Sequence, residues 1–383
     1  MRIALIILHA DATRGGAERY TLDLAGSLAE RGHSPAILAM TFGDLPPGVQ
    51  SIPITCRGLS RLTQYEHFLT AVDAHLAHNP YDVVHAMLPV HHCQVYHPHA
   101  GIAADAVYSG HEKYRNPLAR ALARMVNPFN RKRRQFAEVE RTLLTGPKPP
   151  FVLCLSSYIQ RAVQRHYAIP QDRLVGLLNG ADLKRFDPAA NPALREKTRR
   201  KLGLDSSRVM ALMIAQDFAR KGLREAIEAI ARVSDPRLVL TVVGRDTPTP
   251  YRRLAEQLGI GDRVIFAGPT TDPVPFYQAA DFFVLPTRHD PCSLVVLEAL
   301  AMGLPVISTV QNGACEVMSP GQEGLVLADP SHVDELAGAM RSLLDSSTRT
   351  RMHQACLTLR PRLSQEEHLR ILLNTYAQVQ AAE

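Results

Sequence analysis

Two short apolar runs, residues 280–285 and residues 305–308, bracket the segment that most limits how this chain can fold. Each run is long enough for a buried strand and too short for a buried helix. Between them, apolar residues follow helical spacing from Ser293 onward, and Gly303 supplies a helix stop. The pattern predicts strand, loop, helix and strand, which is the repeating unit of a parallel sheet covered by helices.

The same alternation runs through most of the 383 residues. Predicted strands are residues 3–8, 35–40, 81–85, 151–155, 209–215, 238–243 and 263–266, and predicted helices include residues 17–31, 223–233, 251–258 and 365–379. A chain of this length is too long for one comfortable core and suits two domains. The fold class is therefore predicted to be α/β, with two doubly wound parallel sheets.

Two acidic residues lie between the two predicted strands of residues 280–309, one in the loop and one in the helix. Asp290 follows the first predicted strand, and Glu298 lies one and a half turns into the helix, so both should border the crevice where open α/β sheets bind ligands. A bare pair of acids would equally suit an ordinary helix with a solvated glutamate. However, Asp290, seven residues, Glu298 and then Ala-Leu-Ala-Met-Gly-Leu-Pro-Val-Ile resemble the Glu-x7-Glu signature of retaining GT-B glycosyltransferases of family 4.

This resemblance implies roles for the residues of the motif. Glu298 would hold the ribose hydroxyls of a nucleotide sugar, and Asp290 would contact the donor sugar. The intervening residues whose backbone N–H groups would approach the sugar and phosphate are Cys292, Ser293, Leu294 and Val295. Asp290 departs from the signature, since it is one methylene shorter than the usual glutamate, which bears on the choice of sugar.

The resemblance also implies the domain organisation. A GT-B fold has two Rossmann-like domains facing across a cleft, here residues 1–175 on the acceptor side and residues 176–364 for the nucleotide sugar. Residues 174–186 resemble the segment that joins the two domains in this family, with Leu178 in place of its proline. By analogy the C-terminal helix, residues 365–383, should pack back on the first domain.

Two further motifs lie in the first half. Gly15 and Gly16 open a predicted helix directly after a strand and resemble the loop that family members lay against the donor phosphate. A histidine-rich stretch ends in Tyr-His-Pro-His-Ala-Gly, which resembles the family's His-Gly element. The catalytic role on the acceptor side is carried to His99, with His97 as the alternative. A metal site is not predicted, because no carboxylate or thiolate stands nearby at ligand spacing.

A pair of cations follows the first predicted strand of the second half. The resemblance assigns Arg220 and Lys221 to stabilising the leaving nucleoside diphosphate, the first by a planar fork and the second as a point charge. Arg245 could also reach the nucleotide. The chain contains no Asp-x-Asp sequence, so the prediction is a metal-independent transferase without a cofactor.

Positive charge is concentrated in residues 111–150, which hold ten Lys and Arg against three acids, although the whole chain carries only +6. The cations assigned to this patch are Arg115, Arg120, Arg124, Arg131, Lys132, Arg133 and Arg134. A basic amphipathic stretch suits an anionic membrane surface, a phosphorylated acceptor, or simply a solvated helical face. Nucleic acid is not favoured, because aromatic residues are not interleaved and no binding module is present.

The six cysteines form no C-x2-C pair, so they indicate neither a zinc site nor a disulfide framework. The first apolar run has only six residues, too few for a signal peptide core or a membrane span. These features predict a cytoplasmic protein without a transmembrane helix, and the basic patch predicts that it is peripheral on the inner face of the cytoplasmic membrane.

The overall layout resembles the lipopolysaccharide core glucosyltransferases. The predicted function is retaining transfer of a hexose from a nucleotide sugar, taken as UDP-glucose, to a hydroxyl of a lipid-linked or cell-envelope glycan. Two alternatives stay open at this point: a nucleotide-sugar epimerase or hydrolase on the same fold, and a non-catalytic nucleotide-sugar-binding protein at the membrane.

Overall fold

The computed structural model describes residues 1–56, 60–109 and 130–382. The chain divides into two compact units, one of Met1–Leu178 with Leu369–Glu383 and one of Asn179–His368. Each unit is a parallel α/β sheet, which confirms the predicted fold class.

The first unit is built on a sheet in which seven strands of the described chain pair in parallel, in the order β5-β3-β1-β6-β7-β8-β9. Its strands, including the small β2–β4 pair, are β1 Arg2–Ile6, β2 His9–Ala10, β3 Ser34–Ala39, β4 Thr41–Phe42, β5 Gln50–Pro53, β6 Val83–Ala86, β7 Val95–Tyr96, β8 Phe151–Cys154 and β9 Leu174–Gly176. Among the described residues, its helices are α1 Gly16–Glu30, α2 Arg61–His78, α3 Ala103–Ser109, α4 Arg131–Thr145 and α5 Ser157–His166.

Apolar side chains cover both faces of this sheet, as buried parallel strands require. One buried cluster joins β1 to Leu24 and Leu28 of α1 and to Leu372 and Tyr376 near the chain's end. A second joins the other face to Phe68 of α2 and its neighbours. The sheet therefore has helices on both sides, and its strand ends are left to form loops.

The second unit has six parallel strands in the order β12-β11-β10-β13-β14-β15 within the described residues. They are β10 Val209–Ile214, β11 Leu238–Val243, β12 Val264–Gly268, β13 Phe282–Leu285, β14 Val306–Thr309 and β15 Gly324–Leu327. The remaining helices are α6 Ala193–Lys201, α7 Leu223–Arg232, α8 Thr249–Gln257, α9 Val274–Ala279, α10 Leu294–Ala301, α11 Val333–Ser342, α12 Ser346–Leu359 and α13 Gln365–Ala381, of which α13 contributes its residues from Leu369 to the first unit. Short 3-10 turns span Gln171–Arg173, Gly261–Arg263, Gly313–Val317 and Arg360–Leu363.

A buried carboxylate holds together the part of the first unit that adjoins the basic stretch. Glu140 of α4 is fully buried, and its oxygens accept hydrogen bonds from the hydroxyls of Tyr96 at 2.6 Å and Tyr167 at 2.9 Å. They also accept the backbone N–H groups of Ala103 and Ala104 at 3.0 Å each. Burial raises the pKa of Glu140, and the four hydrogen bonds partly offset that rise. This carboxylate thereby fixes the start of α3 against α4.

The predicted basic patch is described only in part. Arg115, Arg120 and Arg124 lie outside the described residues. The other four cations begin α4, whose first turn contains no acid and is capped by the side chain of Asn130. No helix among the described residues is long and apolar enough to cross a membrane.

Candidate functional site

Lys221 and Asp290 form a buried ion pair at the carboxyl ends of two adjacent strands. Lys221 follows β10, Asp290 follows β13, and these strands pair in the sheet. The side chains are only 12% and 11% exposed. Burial lowers the pKa of Lys221, and the nearby carboxylate partly offsets this effect. Burial alone would raise the pKa of Asp290, but the Lys221 ammonium, together with the Arg220 charge and a hydrogen bond from Ser293, outweighs burial and holds that pKa below its usual range.

The backbone of Asp290 is fixed by the loop that follows β14. Its N–H donates to the carbonyl oxygen of Gln311 at 2.9 Å, and its carbonyl oxygen accepts from Gly313 N–H at 3.0 Å. These bonds form an isolated parallel bridge between Asp290 and Asn312. Three loops, after β10, β13 and β14, thus converge on the ion pair.

Arg220 connects two of these loops through its side chain and its backbone. Its guanidinium donates to the Asp217 carboxylate at 3.2 Å and to the carbonyl oxygen of His289 at 2.8 Å. Its own carbonyl oxygen accepts from Arg288 N–H at 3.0 Å. Arg220 therefore holds the loop that contains Asp290 in position, and its contact with a diphosphate stays a prediction.

A second buried ion pair, which involves the loop that holds Asp290, was not predicted from the sequence. Arg288 donates to Glu225 of α7 at 2.5 Å, and the two side chains are 12% and 3% exposed. Glu225 stands in the first turn of its helix, where a negative charge is favoured by the helix dipole. The only sequence signal for this pair is an arginine in the loop that also holds Asp290.

Glu298 of α10 is buried, with 8% of its surface exposed. Its Oε2 accepts a hydrogen bond from the hydroxyl of Tyr277 on α9 at 2.8 Å. The same hydroxyl lies 3.2 Å from the carbonyl oxygen of Val295. The interpretation of Glu298 as a solvated surface residue is therefore wrong, and Tyr277 is a partner that the sequence analysis missed.

The amino end of α10 adjoins the loop that follows β14. The side chain of Ser293 occupies the N-cap position but makes no capping hydrogen bond, while its N–H donates to Asn312 Oδ1 at 3.3 Å. Leu294 and Val295 begin the helix, where N–H groups have no acceptor within the helix. Cys292 is buried, its carbonyl oxygen accepts from Asn179 at 3.0 Å, and burial raises the pKa of its thiol.

Arg245 follows β11 and is exposed. It forms no ion pair with the residues that the structure describes. The adjacent Asp246 accepts the backbone N–H of Phe218 at 2.9 Å, which ties this loop to the loop that contains Arg220 and Lys221. Arg245 thus lies at the same edge of the sheet, and its contact with a nucleotide stays a prediction.

Gly222 permits the close approach of the loops that carry Lys221 and Asp290. It has φ +79°, and an added Cβ would lie 2.2 Å from the carbonyl oxygen of Pro286. We expect Gly222→Ala to lower the free energy of unfolding by about 2 kcal/mol or more. Urea unfolding measures this effect.

The matched control for this substitution is Gly338→Ala within α11. An added Cβ there meets nothing within 4 Å, so alanine should raise stability by up to about 1 kcal/mol. Equal stability of the Gly222→Ala variant and the parent protein would contradict the predicted clash.

The residues predicted from the first half lie in the first unit. Gly15 is the N-cap of α1 and Gly16 its first residue. The rings of Tyr20, His97 and His99 pack together, with centroids 4.1 Å apart for Tyr20 and His99 and 4.3 Å for the two histidines. His97 is fully buried whereas His99 is half-buried, so His99 is the more accessible of the two. Its catalytic role stays a prediction.

Another histidine of the histidine-rich stretch, His85, belongs to the buried core. His85 of β6 is fully buried and bonds through Nδ1 to the hydroxyl of Tyr376 at 2.6 Å. Within the described ranges, no group of three or more His, Cys, Asp or Glu side chains could hold a metal ion.

Comparisons with known proteins connect both units to one enzyme class. Residues 14–185 match the family described as Glycosyltransferase Family 4, and residues 195–356 match the family described as Glycosyl transferases group 1. The chain is 28% identical over 337 residues to the lipopolysaccharide glucosyltransferase WaaG of Escherichia coli, covering 87% of each protein.

Solved structures give the same result for the fold. A crystal structure of WaaG, described as a glycosyltransferase involved in lipopolysaccharide biosynthesis, superposes with a TM-score of 0.81 at 25% identity and covers 94% of this chain and 95% of the other. The Anabaena protein HepE in complex with UDP-glucose superposes with a TM-score of 0.73 at 19% identity over the full length of both chains. The latter likeness shows a shared GT-B fold.

Proposed function

Because this chain belongs to the group 1 and family 4 glycosyltransferases, we propose that it transfers glucose from UDP-glucose to a hydroxyl of a lipopolysaccharide-core glycan, with retention of the anomeric configuration. The similarity to WaaG, named as a lipopolysaccharide glucosyltransferase, supports the sugar and the acceptor. HepE, a protein of the same fold, occurs in complex with UDP-glucose, which supports the donor.

The observation that carries the proposal is the grouping of cations and helix N–H groups at one edge of the second unit's sheet. Lys221 contacts Asp290 and Arg220 contacts His289, so both cations adjoin the loop that leads into α10. When the bond between glucose and diphosphate breaks, negative charge develops on the leaving diphosphate. Fixed cations and N–H groups stabilise such charge most strongly in a site shielded from water.

Retention is proposed to occur without a covalent bond between the sugar and Asp290. The Lys221 ammonium neutralises the Asp290 carboxylate, which makes it a weak nucleophile. The acceptor oxygen would then bond to the anomeric carbon from the face that the diphosphate leaves. As the bond from that carbon to the diphosphate oxygen breaks, the acceptor hydroxyl proton would pass to the departing diphosphate. Intact-mass spectrometry during turnover should show no glycosylated chain, and a glucosyl adduct on Asp290 would overturn this route.

A donor screen tests the proposed reaction. UDP-glucose should raise the apparent melting temperature more than UDP-galactose, UDP-N-acetylglucosamine or GDP-mannose, because a ligand that binds only the folded state stabilises it. With truncated lipopolysaccharide as acceptor, glucose should be transferred, also in the presence of EDTA, and NMR should show the donor's anomeric configuration in the product. Rapid loss of UDP-glucose without an acceptor would favour a hydrolase, and binding without transfer would favour a binding protein.

Peripheral attachment to the inner face of the cytoplasmic membrane is proposed from the charge of residues 111–150 and the basic start of α4. Each cation close to an anionic bilayer contributes on the order of 1 kcal/mol. The protein should float with liposomes that contain anionic lipid and not with neutral liposomes. Failure to float with the anionic liposomes would leave acceptor binding as the role of the patch.

A further inference from the structure

Asn312 is a fully buried asparagine in the loop that follows β14, and it belongs to none of the sequence motifs that carry the predicted site. Its side chain is engaged at both ends. Oδ1 accepts the backbone N–H groups of Ser293 at 3.3 Å and Ala314 at 3.2 Å, and Nδ2 donates to the Ser308 hydroxyl oxygen at 3.1 Å. Because an unpaired polar group inside a protein is costly, these partners hold the amide in one orientation.

The Nδ2 end of Asn312 is anchored on the sheet. Ser308 is the third residue of β14, is fully buried, and donates its hydroxyl to the carbonyl oxygen of Leu285 at the end of β13, at 2.7 Å. Thr309, the next residue, donates in the same way to the carbonyl oxygen of Thr287 at 2.6 Å. The two hydroxyls cross-link the carboxyl ends of β13 and β14. A buried network of this kind is rigid when its hydrogen bonds are satisfied.

The Oδ1 end of Asn312 reaches the loop that holds Asp290. Ser293 follows Asp290 by three residues. Its N–H donates to Asn312, while its hydroxyl donates to the Asp290 carboxylate. The backbones of Asp290 and Asn312 also form a parallel bridge. Asn312 therefore adjoins both ends of the turn that runs from Asp290 to Ser293 and leads into α10.

A purely structural role for Asn312 would concern only the segment that it begins. As the N-cap of the 3-10 turn Gly313–Val317, its oxygen satisfies the Ala314 N–H, two residues ahead. Ser293, in contrast, lies 19 residues earlier in the chain. Asn312→Ser would keep the cap, because serine and asparagine cap about equally well, but the shorter hydroxyl would not reach Ser293. One substitution therefore separates the two roles.

We propose that Asn312 is a positioning residue for the donor sugar: by holding Ser293 and the backbone of Asp290, it fixes the Asp290 carboxylate where the transferred hexose binds. The inference rests on the proposed function, and it adds a residue on which the rate of transfer depends although it acts only through its neighbours. Misplacing a group by about 1 Å can slow a reaction roughly a hundredfold. A looser loop should therefore lower the rate without weakening the binding of the nucleotide, which is assigned to other residues.

The test compares Asn312→Ser with the parent protein. Its kcat for glucose transfer to truncated lipopolysaccharide should fall roughly ten- to hundredfold. Its Kd for UDP, measured by calorimetry, should stay within about twofold, with the same number of binding sites per chain. A loss of folded protein would not give this result, because it would lower kcat and the number of UDP sites by the same factor.

Two further variants complete the comparison. Ser308→Ala removes the anchor of Nδ2 but leaves Oδ1 in place, so it should lower kcat by a smaller factor and leave the Kd for UDP unchanged. Val264→Ala is the matched control, because Val264 is a buried residue of β12, at the opposite edge of the same sheet. It should lower the urea midpoint and leave kcat and the Kd for UDP unchanged. Normal kcat in both Asn312→Ser and Ser308→Ala, or UDP affinity that falls together with kcat, would overturn the inference.

Hydrogen exchange separates this inference from the proposed function. In Asn312→Ser, the amides of residues 290–295 should exchange roughly tenfold faster than in the parent protein, because the Ser293 N–H has lost its acceptor. Residues 313–317 should keep their rate, since the cap is retained. This result supports the tether even if the parent protein transfers no glucose, in which case only the proposed function fails. Equal exchange of residues 290–295 in both proteins would overturn the inference even where transfer is intact.

Discussion

Replacing Lys221 by alanine should reduce the rate of glucose transfer by roughly two to three orders of magnitude, the usual effect of removing one group that stabilises developing charge. Lys221 is the buried cation of the pair at the edge of the second unit's sheet, and only 12% of its side chain is exposed. The loss should appear in kcat more than in KM, because the diphosphate gains charge in the transition state. Steady-state kinetics with UDP-glucose and the truncated lipopolysaccharide acceptor measure this effect.

The same substitution also leaves the buried Asp290 without its cation. Removing one partner of a buried pair typically destabilises a protein by about 3–5 kcal/mol. The double variant Lys221→Ala with Asp290→Asn separates the two effects, since the neutral amide restores stability without restoring the positive charge. We expect its urea midpoint to return towards that of the parent protein while its turnover stays low.

Lys201→Ala serves as the control, because Lys201 is exposed at the end of α6 in the same unit. It should behave like the parent protein in both assays. Near-normal turnover of Lys221→Ala, or recovery of turnover in the double variant, would show that Lys221 supports the fold and does not stabilise the leaving group.

Replacing Glu298 by glutamine should lower kcat/KM for UDP-glucose by roughly ten- to hundredfold. Glutamine keeps the shape of the side chain but loses the charge that strengthens hydrogen bonds to hydroxyl groups. The KM for the acceptor should not change, since the predicted partner of Glu298 is the ribose of the donor. Steady-state kinetics with each substrate varied in turn distinguish the two effects.

A donor that lacks the ribose 2′ hydroxyl tests the assignment more directly. Uridine diphosphoglucose with 2′-deoxyribose should be a poor substrate for the parent protein, and Glu298→Gln should add little further loss, because both changes remove the same interaction. Tyr277→Phe is the matched variant, since it removes only the hydroxyl that bonds to Glu298. It should reduce kcat/KM by a smaller factor. Losses that simply add between the deoxy donor and Glu298→Gln would contradict ribose binding.

Much of the fold could be predicted because it depends on local pattern. Residues 3–6 and 282–285 are fully buried strands, as their continuous apolar runs indicated. The helix of residues 294–301 begins directly after Ser293 and ends before Gly303, which has φ +75°. In such segments the spacing of apolar residues and the stop signals suffice, since a parallel strand buried on both faces must be apolar throughout.

The partners of the buried polar groups could not be predicted in this way. Glu140 is held by tyrosines 44 and 27 residues away in the chain, and Glu225 pairs with an arginine 63 residues away. Sequence spacing carries no information about such pairs. They depend on which strands become neighbours, and β10 lies beside β13 although two strands intervene in the chain.

The amino-acid sequence by itself determined that this chain forms two parallel α/β sheets and which side chains stand at their strand ends. Only the tertiary structure decided that Asp290 pairs with Lys221, that Tyr277 supports Glu298, and that Tyr65 stacks on Phe136. The physical reason is that apolar periodicity is a local property of the chain. The burial of a charge, in contrast, requires a partner that the order of strands in the sheet brings within hydrogen-bonding distance.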